Sequence, residues 1–116
     1  MQRTAPYLRK NGQREEASDM VAIVENWAVI IGTVMGIVHG GMAPDTAGLD
    51  VRIERIEPFE NYPMLVTQKP GDRITISVPD DKVDDGLLNA PIEVRVRRGR
   101  DPSVVFAAPD WDPGPR

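Results

Sequence analysis

The stretch from Trp27 to Val38 (WAVIIGTVMGIV) is apolar on both of its faces, rich in β-branched residues and interrupted by Gly32 and Gly36. The later strand candidates alternate between apolar and polar residues, as strands with one solvated face do. A strand that is apolar on both faces must be covered on both. We therefore predict that this segment is the central strand of the core or part of a subunit interface.

Length and composition limit the classes of protein that the chain can form. A chain of 116 residues is expected to form one domain. Its 11 prolines and 10 glycines suit short strands joined by turns better than a helical bundle. The formal charge of −4 argues against a dedicated binder of duplex nucleic acid, which usually shows a basic surplus.

The absence of cysteine excludes disulfides, zinc thiolates and thiol nucleophiles. The single histidine, His39, excludes a multi-histidine metal site within one chain. No GxGxxG, P-loop or HExxH pattern occurs, so no cofactor is expected. The acidic run Asp80, Asp81, Asp84 and Asp85 does not have EF-hand spacing, and a solvated loop is preferred there to a calcium site.

The chain divides into three parts by composition. Residues 1–19 lack hydrophobic periodicity and are predicted to be a disordered arm. Residues 20–108 are predicted to be a β-barrel domain. Residues 109–116 (PDWDPGPR) contain three prolines and are predicted to be an irregular tail.

Five strands are predicted within the domain, at residues 21–38, 49–56, 73–78, 92–98 and 103–107. Residues 39–48 are predicted to be a loop, 69–72 (KPGD) a turn, and 80–89 a linker with at most one helical turn. The order resembles that of the OB fold, whose long first strand bends at glycines to pair at both ends of the barrel. We therefore expect an all-β, small five-stranded OB-like barrel, with a β-sandwich as the alternative.

A helical interpretation competes for the first segment. Gly32, Gly36 and Gly40 have the small-xxx-small spacing of packed membrane helices, and basic residues precede them. Residues 27–43 could then be a signal-anchor for an exported β domain. The uninterrupted apolar run has only twelve residues, whereas a membrane span needs about 20. A strand in a cytoplasmic protein is therefore the preferred prediction.

If the segment is a strand, alternate residues share a face. The face with the smaller side chains suits close approach of another sheet, and an exposed apolar face usually marks a contact surface. We predict a homo-oligomer that self-associates through this smaller face: Ile30, Gly32, Val34, Gly36 and Val38. A β-bulge at either glycine would exchange the two faces midway along the strand.

Five arginines are predicted at outward-facing or turn positions of the second and fourth strands: Arg52, Arg95, Arg97, Arg98 and Arg100. Guanidinium groups bind phosphate and carboxylate through paired hydrogen bonds. These residues therefore predict a binding groove for an anionic chain, either single-stranded nucleic acid or a saccharide. The competing interpretation is a solvated strand face whose arginines pair with Glu54, Glu93 or Asp101.

The preferred functional hypothesis is a non-enzymatic interaction or assembly module. The binding module for an anionic chain is the alternative, and the membrane-anchored β domain is the third hypothesis.

Overall fold

The computed structural model describes residues 24–40 and 43–114, so the arm predicted at residues 1–19 lies outside the described residues. This part of the chain is all-β. The strands are β1 (Ala28–His39), β2 (Thr46–Pro58), β3 (Arg73–Pro79), β4 (Pro91–Arg98) and β5 (Val104–Ala107). Two short 3₁₀ turns, Asp80–Lys82 and Asp85–Leu87, connect β3 to β4.

The five strands form a closed barrel in the order β1-β2-β3-β5-β4. β1 pairs with β2 along its length and with β4 through residues 28–33, and this closes the barrel. The strand pairs are antiparallel except for β3 and β5, which are parallel. The prediction of a small five-stranded barrel with a long glycine-bearing first strand is therefore confirmed.

The helical interpretation of residues 27–43 does not agree with the structure, because residues 28–39 form β1. Across residues 24–40 and 43–114 no helix is long and apolar enough to cross a bilayer. β2 and β4 flank β1 in the sheet, and its even-numbered side chains as far as Val34 face the core. Its outer face, with Val29, Ile31 and Met35, is only partly buried in the described part of the chain, so the predicted cover of both faces holds for the inner face alone.

Two register shifts bend the β1–β2 pair. One lies between Ile31 and Gly32, and the other between Val34 and Gly36, where Met35 has no partner on β2. Even-numbered residues of β1 are buried up to Val34, whereas beyond the bulge the odd-numbered Ile37 packs against the core. The bulge therefore exchanges the faces midway, which is the effect expected of a bulge at either glycine.

Gly32 is required by the close approach of β1 to β2. A Cβ atom at this position would lie 2.3 Å from the carbonyl oxygen of Arg52 and 2.8 Å from a methyl group of Val51. Any larger residue would therefore push the two strands apart.

The barrel interior is filled mainly by aliphatic side chains from all five strands. Ile30 and Val34 are fully buried there, and Gly32 lies on the same inward face. The self-association face predicted at Ile30, Gly32, Val34, Gly36 and Val38 is therefore wrong for its first three residues. A barrel of only five strands is narrow, so the smaller face of β1 is the one that fits inside.

The remaining two residues of that set do not form an apolar patch by themselves. Gly36 is half-buried, and Val38 is 61% exposed near the end of β1.

The C-terminal segment packs against the barrel, contrary to the predicted boundary at residue 108. Trp111 is only 7% exposed and belongs to the core cluster. The backbone N–H of Ala108 donates to the carbonyl oxygen of Arg95 at 2.9 Å, and the ammonium of Lys82 donates to the carbonyl oxygen of Trp111. The folded unit therefore includes at least Trp111.

Candidate anion-binding site

The five predicted ligand-binding arginines do not form one groove. Arg52 lies on β2 opposite Thr33 of β1, whereas Arg95 lies on β4 opposite Val29. Four residues along a strand correspond to about 13 Å, and β1 itself lies between the two arginines. Arg52 is therefore separated from the β4 arginines.

Arg98 is partly buried and is held by protein groups. Its Nη1 donates to the carbonyl oxygen of Leu65 at 3.1 Å, and its backbone N–H donates to Oδ1 of Asn26 at 2.8 Å. Its Nε is buried without a hydrogen-bond partner among the described residues. Arg98 therefore attaches the β2–β3 connection to the barrel and is poorly placed for a ligand.

Asn26 closes the barrel next to this arginine. The residue is only 2% exposed. Its Nδ2 donates to the carbonyl oxygens of Val24 and Arg98, at 2.9 and 3.1 Å respectively. Together with the bond that Oδ1 accepts, these contacts join the start of β1 to the end of β4. The amide is thus occupied by backbone groups.

Arg95 lies on the outer surface among aromatic rings. Its guanidinium carbon is 5.3 Å from the ring centroid of Trp27 and 5.0 Å from that of Phe59, distances typical of cation–π contacts. Its Nη2 also donates to Oδ1 of Asp110 at 3.0 Å. Arg95 is therefore oriented by two rings and one carboxylate.

Arg97 and Arg100 line one cleft, and we refer to it as the Arg97–Arg100 cleft. Its volume is about 520 Å³, and it lies where the start of β1 meets the β4–β5 turn. The residues that line it are Val24, Glu25, Asn26, Trp27, Arg97, Gly99 and Arg100. The guanidinium of Arg97 also lies over the ring of Phe106, 5.4 Å from its centroid.

The electrostatics of the cleft favour an anion. Two guanidinium groups line it together with one carboxylate, that of Glu25, whose Oε2 accepts a hydrogen bond from Nε1 of Trp27 at 3.2 Å. Asp101 follows Arg100 in the turn but does not line the cleft. Hydrogen bonds from the backbone N–H and the hydroxyl of Ser103 lower the pKa of Asp101 below its ordinary value.

Aromatic side chains in the described part are concentrated outside the core. Four of them are half-exposed, and only Trp111 belongs to the core: the four are Trp27, Phe59, Tyr62 and Phe106. Phe59 and Tyr62 stack on each other, with ring centroids 6.2 Å apart and planes 9° apart. From the sequence these aromatics suited core positions equally well.

We use the name aromatic–arginine surface for Trp27, Phe59, Tyr62 and Arg95. The surface forms because Ala28 pairs with Pro58, which places Trp27, just before β1, beside Phe59, just after β2. Only the register of β1 against β2 could have predicted this, and the sequence pattern does not give that register. Trp27 belongs to this surface and also lines the Arg97–Arg100 cleft.

Two of the acidic residues predicted as partners of the arginines accept hydrogen bonds from hydroxyl groups. Glu54 accepts a hydrogen bond from the hydroxyl of Thr33 at 2.9 Å, and Asp101 accepts from Ser103. Arg95 pairs with a carboxylate, as the competing interpretation expects, but this is Asp110 of the C-terminal segment and not a residue of a neighbouring strand.

The other candidate sites, His39 and the acidic run, make contacts with nearby protein groups. Nδ1 of His39 lies 2.7 Å from Oδ1 of Asp80 on the surface. Asp84 accepts a hydrogen bond from the backbone N–H of Gly86 and caps the second 3₁₀ turn. Among the residues described, no group of three or more His, Cys, Asp or Glu side chains is placed to hold a metal ion.

Comparison of the chain with protein-family models, curated proteins and solved structures gives no match. Its function must therefore be inferred from the placement of its own residues.

Proposed function

We propose that this protein is an OB-like, non-enzymatic binding module that holds an anionic ligand in the Arg97–Arg100 cleft. The observation that carries the proposal is the presence of two guanidinium groups and a tryptophan in one open cleft of about 520 Å³. A guanidinium offers paired donors to phosphate, sulfate or carboxylate, and an aromatic wall gives a ligand an apolar contact.

The strand arrangement supports an OB-like interpretation. The barrel has five strands, with β1 paired to both β2 and β4 and with β3 parallel to β5. OB folds bind oligonucleotides and oligosaccharides on one barrel face and through the loops after their first and fourth strands. The β4–β5 turn, which supplies Gly99 and Arg100 to the cleft, is the second of those loops.

The exposure and the contacts of Arg97 also support the proposal. This residue is exposed and forms no ion pair within the described part of the chain, and Phe106 holds its guanidinium at the surface. A guanidinium that is oriented by a ring loses less side-chain freedom when it binds an anion. Arg97 is therefore prepared for an anionic ligand at a low entropic cost.

The test is a titration of fluorescein-labelled polyanions: a short oligothymidylate, a heparin fragment and inorganic polyphosphate. We expect at least one of them to bind, and its affinity to fall about tenfold or more in the variant Arg97→Ala/Arg100→Ala, because each lost charge-assisted hydrogen bond contributes about 1.5–3 kcal/mol. Added salt should weaken binding, since bound counterions are released from the ligand.

The matched control is Arg52→Ala/Lys69→Ala. It removes the same number of positive charges from exposed positions that do not line the cleft. This control should bind like the unaltered protein. Equal losses in the two double variants would indicate a general charge effect and would contradict a site in the cleft, as would a failure of all three polyanions to bind.

Assembly remains a second candidate function, but through the opposite face of β1. Val29, Ile31 and Met35 are half-exposed on the outside of the barrel, and apolar surface of this kind favours association. Light scattering should then show a concentration-dependent dimer that survives high salt and is lost in Ile31→Glu. A monomer at every concentration would remove this candidate. The cytoplasm stays the predicted cellular compartment, and neither the polyanion titration nor light scattering depends on it.

A further inference from the structure

We propose that the ligand of the Arg97–Arg100 cleft is single-stranded nucleic acid, with phosphates at Arg97 and Arg100 and unpaired bases on Trp27 and the Phe59–Tyr62 pair. The inference rests on the proposed function and names the ligand class of the same site. Trp27 is the residue that connects the two parts, because it lines the cleft and also contacts Arg95 on the aromatic–arginine surface.

The first reason is the alternation of charged and aromatic groups. Arg97 lies over Phe106, and Arg95 contacts the rings of Trp27 and Phe59. A nucleic acid strand carries the complementary alternation, with one phosphate and one flat base in each nucleotide. Proteins that bind single strands combine a basic groove with aromatic side chains on which successive bases stack.

The second reason distinguishes nucleic acid from a sulfated saccharide. Sugar hydroxyls need both donors and acceptors around them. The side-chain acceptors that line the cleft are few, since the amide of Asn26 is bonded to backbone groups and the carboxylate of Glu25 already accepts a hydrogen bond from Trp27. Guanidinium groups and the Trp27 ring predominate among the lining side chains, and these suit phosphates and bases.

The third reason distinguishes an unpaired strand from a duplex. In a duplex the base faces are stacked inside and cannot reach Trp27, Phe59 or Tyr62, whereas single strands can present them. The formal charge of −4 on the chain also disfavours a long track of phosphate contacts. A short single strand that occupies the cleft and the neighbouring rings fits both observations.

The experiment compares four labelled ligands on the full chain: oligothymidylate of about a dozen nucleotides, within the site size of one OB fold, its duplex with oligoadenylate, a heparin fragment and inorganic polyphosphate. We expect the single strand to bind most tightly. In Trp27→Leu its affinity should fall about five- to a hundredfold, the range for loss of one base–aromatic stack, while polyphosphate binding is unchanged. Trp27→Phe should restore most of the affinity, because it restores a ring.

Thermal unfolding of each variant checks that the barrel is intact. If Trp27→Leu fails to fold, Phe59→Leu is the second variant, because it removes another of the proposed stacking rings and should lower single-strand affinity in the same way. Equal affinity for the duplex, the heparin fragment or polyphosphate would overturn this inference and leave the proposed function standing, provided that Arg97→Ala/Arg100→Ala weakens binding. Single-strand binding that is insensitive to Trp27→Leu would also overturn it. If the arginine double variant binds every ligand as well as the unaltered protein does, the proposed function itself fails.

Discussion

The two tryptophans of this chain occupy opposite environments. Trp27 precedes a regular strand, and it is half-exposed beside Arg95 at the edge of a cleft. Trp111 comes from a proline-rich terminal segment, and it is 7% exposed within the core cluster. The residue from the irregular segment contributes to the core, whereas the residue beside the central strand faces outward.

This difference separates residues that pack in the core from residues that are exposed near the proposed binding site. The narrow interior holds aliphatic side chains, with Trp111 as the large ring packed against them. The other four aromatics of the described part lie outside the core, and each of them lies against an arginine or another ring. Interior contacts should therefore dominate the free energy of unfolding, and exterior ring–arginine contacts should matter mainly for binding.

The largest expected effect is that of Trp111→Ala. Loss of a buried tryptophan removes apolar contacts and leaves a cavity, so the free energy of unfolding should fall by about 3–5 kcal/mol in urea denaturation. Trp27→Ala is the matched control and should lower it by less, because this side chain is only partly buried and lies outside the core cluster. Equal losses in the two variants would contradict the division between interior and exterior.

The next effect is that of Asn26→Ala, directly beside Trp27. Removal of this buried amide leaves the backbone groups of Arg98 without their partner, which should lower the free energy of unfolding by about 1–3 kcal/mol. Asn61→Ala, at an exposed position, should have almost no effect. If Asn26→Ala were as stable as Asn61→Ala, the joint between β1 and β4 would not depend on this side chain.

A smaller effect is expected for Arg95→Ala, which removes the contacts with Trp27 and Phe59 and the ion pair with Asp110. Surface contacts of these kinds contribute about 0.5–1 kcal/mol each, and they are not additive. We therefore expect a loss of about 1 kcal/mol in the same denaturation assay. A loss as large as that of Trp111→Ala would mean that the exterior rings also carry the fold.

The smallest effect concerns an exterior ion pair without an aromatic ring. The side-chain hydrogen bond from Arg73, helped by its charge, lowers the pKa of Asp50 below its ordinary value of 3.8, against the opposing effect of burial. A carboxyl with a lowered folded-state pKa adds stability above its unfolded pKa, and this stability is lost as pH falls through the folded pKa.

Because Asp50 and Arg73 are both substantially exposed, solvent screens the pair and its contribution should be small. Asp50→Asn should therefore be slightly less stable than the unaltered protein at neutral pH, and the difference should vanish once the pH has fallen through the lowered folded-state pKa of Asp50. A difference in unfolding free energy that persists in acid would show that Asp50 acts through packing and not through its charge.

The regular part of the fold was predictable because its strands have one solvent-exposed face and therefore alternate between apolar and polar residues. The strict alternation of Ile74, Ile76 and Val78 gave β3 within one residue of its observed end, and the pattern of β4 did the same for its start. The KPGD turn is also confirmed, since the N–H of Asp72 donates to the carbonyl oxygen of Lys69 at 2.9 Å and Gly71 has a positive φ.

The inward face of β1 could not be predicted in the same way, because both of its faces are apolar. What decides it is the width of the barrel and the contact at Gly32, and both depend on strands that are distant in the sequence. Arg98 was misassigned for a similar reason. The prediction grouped it with the turn residues, although by the alternation of β4 it has the same parity as the buried Val94 and Val96. Its partner, Leu65, lies in the irregular β2–β3 connection.

The C-terminal segment and the candidate site could not be predicted, because both depend on contacts between residues distant in the sequence. Local propensity correctly gives residues 109–114 no helix or strand, but it cannot show that Trp111 packs in the core or that Asp110 reaches Arg95. Of the predicted ligand residues, Arg97 and Arg100 line the cleft, Arg95 lies beside Trp27, and Arg52 is elsewhere.

The unpaired residue at Met35 has a consequence for insertions and deletions in β1. Val34 pairs with Val51 and Gly36 pairs with Asp50, so Met35 could be deleted without changing which side of the sheet Ile37 faces. The strand would lose its bend, but every remaining side chain would stay on the same side of the sheet. Deletion of Val29, in the regular part, would instead reverse every side chain on one side of the gap, because the pleat repeats every two residues. The bend of β1 and the side of the sheet that each of its side chains faces are thus specified separately.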